Sequence, residues 1–358
     1  MDIARAKRAP ALAASDVVIS PAPRDEWRAV VANDPTALPE HAPEWVDALC
    51  AAGPYRNVSR YYRLSDGREF VLPLVRRTGV PGLGGSLLSY PTSWGMGGLV
   101  GAGVDAEVVR TVLADLRATG SQRIAIRPDP LDFAAWSAAM DSSITSISRR
   151  AHVIDLTGGA DAVWSKMSKS ARRGTRLAER AGVRVETDRT GALLEDYYRL
   201  FLLSVDRWAE RQHEPRPLAQ LRARRRDPLA KLQAMAETLG KTFAVTLAYV
   251  DDQPAFGSIT LLGQTAHDTR AAMDKERIAA TCAGDLVQWR TIQLACDLGC
   301  TAYHLGESGA SASLAQYKEK FGAEPVDYAE LRLERLPYTR ADQAVRSAVK
   351  RVLRFRDV

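Results

Sequence analysis

The stretch that most restricts the fold lies between Lys241 and Asp274, where "KTFAVTLAYV", "PAFGSITLLG" and "TAHDTRAAMD" follow one another, the first two joined by the turn "DDQ". Runs of β-branched and apolar residues separated by short polar turns read as an antiparallel meander. A meander must be covered, and the chain supplies the cover on both sides. After it, "GDLVQWRTIQLACDLG" reads as a helix with Leu286, Trp289, Gln293 and Cys296 on one face, followed by the strand "CTAYHLGE", a short helix in "SLAQYKEKFG" and the strand "PVDYAELRLE". Before it come the strand "AHVIDL", one or two basic helices ending at Gly182, the strand "VRVET", and two long helices, from about Ala192 to Arg211 and from about Leu218 to Leu239. The prolines of "HEPRP" hold those two apart. This order is that of a mixed sheet with helices on its faces, the α/β class.

The first half carries a fainter version of the same series. "VVISP" reads as a strand, "RDEWRAVVA" and "HAPEWVDALCAAG" as helices, and "RNVSRYYRLSDGREFVLPLVRR" as a hairpin about "SDG". A Gly- and Pro-rich loop anchored by Tyr90 and Trp94 leads to a helix from about Val104 to Thr119, the strand "RIAIRP" and a helix around Phe133 to Met140. The recurrence points to an internal duplication, and 358 residues exceed what one core usually serves. The expected division is a flexible arm over 1–16, an N-terminal domain over 17–148, a C-terminal domain over 149–336, and a basic helix over 337–358 free to pack back on the first half.

No apolar run approaches the roughly 20 residues that cross a bilayer, and "MDIARAKRAPALAASD" lacks a continuous apolar segment. A cytoplasmic protein is expected. Cys50, Cys282, Cys296 and Cys300 show no paired C-x-x-C spacing and read as reduced thiols; the five histidines give no zinc spacing, so no metal is expected. A formal charge of +6 favours an anionic partner: nucleic acid, a nucleotide, or a phosphate-bearing substrate.

The helix, strand and loop of "GDLVQWRTIQLACDLGCTAYHLGESG", followed by Tyr317-Lys318 and Phe321-Gly322 in "SLAQYKEKFGAEP", resemble the FemABX-like branch of the GNAT acyltransferase superfamily. That branch comprises peptidoglycan-bridge aminoacyltransferases and related single-chain N-acyltransferases. The resemblance implies two tandem GNAT-like folds, with the second catalytic. It implies transfer of an acyl or aminoacyl group onto an amine of a cell-wall precursor, a sugar or a small metabolite. Two neighbouring parallel strands would splay apart to bind the donor carbonyl, which here places the cleft between "TRAAMD" and "AYHLGE". Where many relatives end the strand with aromatic, Asp, aromatic, Gly, this chain has Tyr303-His304-Leu305-Gly306, with Glu307 next. Of the acetyl-CoA loop it keeps only Gly284 at the helix start, which weakens a conventional coenzyme A grip in favour of an aminoacyl-tRNA or another activated acyl donor; the expected co-substrate is acyl-CoA or aminoacyl-tRNA.

Within that frame, the loop of Gly309, Ala310, Ser311 and Ala312 lets backbone approach a ligand closely, and Gly306, Ser308 and Gly309 are the expected donor- or substrate-binding residues beside it. Lys318 is the expected cation near the reacting carbonyl, with Tyr317 and Phe321 seating its helix. Glu307, His304 and Asp274 are the candidates for the proton acceptor, Glu307 foremost. Lys169, Arg173, Arg176 and Arg180 align on one helix face and suit phosphates of a tRNA acceptor stem, a nucleotide-sugar or a coenzyme A tail, although charge runs are commonly solvated faces. Tyr90 and Trp94 suit the wall of an acceptor cleft, or serve to pin their loop. The rival reading is a non-catalytic RNA-binding or scaffold protein that keeps the fold for its basic surface.

Overall fold

The computed structural model describes residues 13, 15–78, 85–91, 94–309, 311–339, 342 and 344. Most of the arm over 1–16 and most of the basic helix over 337–358 lie outside the described residues. The first half runs β1 (Val17–Ile19), α1 (Arg24–Ala32), α2 (Pro43–Ala52), β2 (Tyr55–Asn57), β3 (Arg60–Arg63), β4 (Glu69–Leu72), β5 (Val75–Arg77), β6 (Ser86–Leu88), α3 (Ala106–Ala118), β7 (Arg123–Ile126), α4 (Phe133–Ala139) and β8 (Ile144–Asp155). The second continues with α5 (Gly159–Lys166), α6 (Lys169–Arg180), β9 (Arg184–Asp188), α7 (Leu194–Gln212), α8 (Arg216–Arg226), α9 (Leu229–Leu239), β10 (Phe243–Val250), β11 (Gln253–Leu262), β12 (Ala266–Met273), α10 (Lys275–Ala279), α11 (Ala283–Asp297), β13 (Ala302–Glu307), α12 (Ala312–Glu319) and β14 (Glu324–Glu334). Among the described residues no helix is long and apolar enough to cross a membrane.

The meander forms as β10, β11 and β12, each antiparallel to the next. Its first turn is made by Asp251 and Asp252, both at positive φ, the geometry that matches the twist of a two-strand hairpin. Among the described residues it lies toward one end of an 11-stranded mixed sheet, with β9 outside it, in the order β2-β5-β6-β7-β14-β8-β13-β12-β11-β10-β9, while β1, β3 and β4 make a small separate sheet. The duplication is visible in the topology. The parallel pair β6 and β7 brackets α3, and the parallel pair β12 and β13 brackets α11. After each pair comes a short helix and a strand that crosses to the other half: β8 lands beside β13, and β14 lands beside β7. The two exchanged strands pair with each other from Glu324–Val153 to Leu333–Ile144. Ser148, the residue at which the sequence divides, sits inside β8 opposite Ala329.

The cores follow the exchange. Val108, Val112 and Leu116 of α3, spaced for one helix face, bury against Ile124 of β7 together with Leu331 and Leu333 of β14. A second core joins Trp27, Trp45 and Trp94 of the first half to Tyr197, Leu200 and Met235 of α7 and α9. The single helix expected from Leu218 to Leu239 is two, α8 and α9, because Pro228 supplies no N–H and forces Asp227 out of the helical region. On the other face α6 crosses α11 so closely that a Cβ on Gly174 would stand 2.2 Å from Oδ2 of Asp285. That carboxylate is held by Lys320 at 2.6 Å and has little room to yield. Gly174→Ala is therefore expected to cost about 1–3 kcal/mol, read from urea denaturation, although alanine is the better helix former.

Candidate functional site

β12 and β13 pair through two positions only, Ala266 with Tyr303 and His267 with His304. Beyond them β12 follows β11, β13 shifts register and its Glu307 pairs with Ala151 of β8, so the two parallel strands part. Gly306 makes the departure at φ 69, a conformation that favours glycine. The wedge opens into a cavity of about 840 Å³ lined among others by His267, Asp268, Gly306, Glu307 and Lys318. The equivalent place in the first half is closed. There Arg127 N–H donates to Ser89 Oγ at 2.9 Å and its carbonyl accepts from Gly97 N–H at 2.8 Å, so the loop after Trp94 fills the gap between β6 and β7.

Lys318 enters the wedge from α12. It is buried, and its Nζ donates to the Glu307 carbonyl at 2.7 Å. Burial pushes the ammonium down to about 8, against the opposing pull of the Asp268 and Glu307 carboxylates. Across from it burial pushes the Asp268 carboxyl up to about 7, while the Lys318 and His267 charges hold it lower than it would otherwise be. Asp268 Oδ1 is buried without a hydrogen bond. Asp268 is not among the acids and bases expected from the sequence; a carboxylate inside a strand expected to border the cleft is the signal that marks it.

The other candidate acids and bases are placed for different work. Glu307 reaches the cavity, but Oε2 accepts from Arg149 at 2.8 Å and Oε1 from the Tyr328 hydroxyl at 2.6 Å. Arg149 also binds Glu330, so the Glu307 carboxylate belongs to an ion-pair network joining β8, β13 and β14, and its role as proton acceptor falls away. His304 is fully buried with both ring nitrogens unbonded, and burial drives it down to about 3; it lies outside the cavity lining, edge-on to His267, and stays neutral. Asp274 caps α10, accepting from the N–H groups of Glu276 and Arg277, and lies outside the cavity lining.

The helix α12 divides its two lysines between two tasks. Tyr317 donates to the Gly284 carbonyl at 3.1 Å and meets the Phe321 ring edge-on at 5.4 Å, which seats the helix as its spacing implies. Lys320 turns to Asp285 of α11 and leaves Lys318 alone in the wedge. Ser308 is buried below the loop and Gly309 takes φ 56; Ala310 lies outside the described residues. Tyr90 and Trp94 are buried and do not line the cavity, which corrects their cleft-wall assignment. The Tyr90 hydroxyl donates to the Glu40 carbonyl at 2.5 Å, and the Trp94 carbonyl accepts from Trp45 at 3.1 Å; both pin the loop whose Gly95 and Met96 reach the cavity.

Lys169, Arg173, Arg176 and Arg180 share a face of α6, as their spacing implies, around a shallow depression of about 260 Å³ apart from the wedge. Arg176 lies over the Trp164 ring, and Glu179 pairs with Arg290 rather than with these cations.

An acyl-CoA would need exposed N–H groups at the start of α11 for its pyrophosphate. Ala283, Gly284 and Asp285 are all buried there, the Phe256 ring would lie 3.1 Å from a Cβ on Gly284, and the first turn already carries the Asp285 carboxylate. These residues do not fit that grip.

Residues 165–319 match the acetyltransferase (GNAT) domain family. In structure the chain is similar to FemX, with TM-score 0.66 and 13% identity over 89% of this chain and 97% of that one. It is also similar to a conserved protein of unknown function from Bacteroides thetaiotaomicron, with TM-score 0.52 and 11% identity over 88% of this chain and 98% of that one. A third likeness is to the C-terminal domain of a protein assigned as a lysylphosphatidylglycerol synthetase from Agrobacterium fabrum, with TM-score 0.50 and 13% identity over 91% and 95% of the two chains. No curated protein matches the chain by sequence. The mixed α/β fold is thus the one read from the sequence and is similar to that of FemX, and the residues that match the GNAT domain family lie in the half that holds the open wedge.

Proposed function

We propose that this GNAT-fold chain is an N-acyltransferase of FemAB type that moves an activated acyl or aminoacyl group onto an amine in the wedge. The observation that carries this reading is the splayed pair β12 and β13 with Lys318 and Asp268 facing each other across it. Acyl transfer to an amine needs a carbonyl held in place, a cation or N–H edge where negative charge develops, and a group to take a proton. The parted strands supply unpaired main-chain edges for the carbonyl. Lys318, buried and still ionised below about pH 8, supplies the cation.

Two features narrow the substrates. The buried start of α11 disfavours a coenzyme A pyrophosphate and favours an aminoacyl ester of tRNA as donor, with the cationic face of α6 as the surface for its phosphates. The cavity mouth carries Arg207 and Arg211 of α7 and Lys275 of α10, so the acceptor amine belongs to a molecule with anionic groups. Burial, and next the nearby Arg211 charge, push the Arg207 guanidinium down, while the Asp274 carboxylate pulls it up.

Incubation with labelled aminoacyl-tRNAs and with acyl-CoA thioesters, each with a panel of phosphate-bearing amines, tests this reading. Amide product from an aminoacyl-tRNA is expected, at least tenfold faster than from any thioester. Binding of RNA with no covalent product from either donor class would favour the scaffold reading instead.

A further inference from the structure

We infer that His267, held by Glu40 of the first half, is the base that takes the proton of the attacking amine; this assignment rests on the transfer reading above. His267 occupies the last position at which β12 and β13 pair, the floor of the wedge. Its Nδ1 is hydrogen-bonded to Glu40 Oε1 across 227 residues of sequence. Its Nε2 has no hydrogen bond among the described residues and faces the cavity side of Gly306. A Cβ on Gly306 would stand 3.8 Å from His267 Nε2 and 4.0 Å from Lys318 Nζ, so the two nitrogens converge on one point above that glycine. With Nδ1–H donating to the Glu40 carboxylate, the Nε2 lone pair is the one presented to a ligand.

Glu40 is placed for this task and for little else. It is wholly buried, its Oε2 has no hydrogen bond, and among the described residues His267 is the one hydrogen-bond partner of its side chain. A carboxylate so enclosed is strongly unfavourable unless a positive charge stands or forms beside it. The neighbouring loop is shaped around it: Gly95 takes φ 85, and a Cβ there would lie 2.4 Å from Glu40 Oε1. The groups facing the imidazole are Glu40 from the first half, His304 edge-on from β13, Lys318 from α12, and Asp268 next to it on β12. His304 is neutral, and Asp268 is the leading counter-charge of Lys318, which leaves His267 as the unsaturated acceptor.

In the transfer, the amine nitrogen bonds to the acyl carbon and its proton passes to Nε2. The bond from that carbon to the donor's ester oxygen then breaks, and the imidazolium returns the proton to the leaving oxygen. The products are an amide and an alcohol, with no change in oxidation state. The imidazolium formed midway lies against the Glu40 carboxylate, which stabilises it.

The test compares wild type, His267→Ala and Glu40→Gln in the labelled transfer assay, with thermal melts on each variant. His267→Ala is expected to lower kcat about a hundredfold, within the range for a general base, and to recover rate when imidazole is added. Glu40→Gln is expected to slow transfer about tenfold, because the imidazolium formed midway loses its counter-charge, and added imidazole should not restore it. Imidazole rescue is a readout that a misfolded variant would not give. A His267→Ala variant that turns over like wild type, or that is slowed and gains no rate from imidazole, overturns the assignment and leaves the transfer reading standing; a wild type that forms amide from no donor overturns both.

Discussion

Lys318→Met is expected to lower transfer by about a hundredfold to a thousandfold with the fold intact, the loss typical of removing one charge-stabilising donor from a preorganised site. The expectation follows from where the ammonium sits: buried, 2.7 Å from the Glu307 carbonyl, and across the wedge from Asp268. Its pH dependence has a definite sign. Because the buried ammonium loses its proton at about 8, wild-type transfer should fall as pH rises through that value. Asp268→Asn removes the largest charge that favours the ammonium, so the alkaline limb should move below 8. Stability carries the complementary signature. Lys318 holds its proton to about 8 when folded and to 10.5 when unfolded, so between those values the unfolded chain binds more protons and this residue makes the protein more stable as pH rises. Lys318→Met should lose that increment. Steady-state kinetics with the labelled donor and thermal melts over the same pH range check the set; a variant that turns over like wild type removes Lys318 from the chemistry.

What the sequence shows and what it hides divide along contact distance. The α3 stripe of Val108, Val112 and Leu116 and the Tyr317–Phe321 pair are local regularities, set by 3.6 residues per turn, and they act as that period implies. The α8–α9 break was local too, since Pro228 is a sufficient signal, and a long apolar period masked it. Lys318 was found by likeness rather than by pattern, because a lysine on a short helix has no local mark of burial. His267 and Glu40 are separated by 227 residues, and no period links them; the loop that carries Tyr90, Trp94 and Gly95 looks like a cleft wall in sequence and proves to be the clamp that sets Glu40 in place. Exchange of β8 and β14 is hidden for the same reason. Each strand carries a run of four buried residues, Ala151 to Ile154 and Tyr328 to Leu331, that would suit the middle of the sheet in whichever half it joined.

Separating the halves is expected to abolish folding of both, and the position of the cut should matter. A chain cut between Ser148 and Arg149 severs β8, whose residues pair with β14 on both sides of the cut and with β13 beyond it. Neither fragment then retains a complete central strand. Leu331 and Leu333, buried with the α3 core, would be left exposed on the second fragment, and Ile144 on the first. Expressed alone, 1–148 and 149–358 should each lack a cooperative thermal transition, and mixing them should not restore one. A cut between Thr157 and Gly158, in the turn after β8, leaves both exchanged strands whole. Those two fragments should still fail alone, because each presents a long unpaired strand edge, yet co-expression should return a one-to-one complex on gel filtration. Transfer should reappear only in that complex. Glu40 and His267 lie on opposite fragments, and the strand behind the wedge, β8 against β13, comes from the first. A second fragment that folds by itself and forms amide at the wild-type rate would show that the first half contributes neither strand nor carboxylate to the reaction.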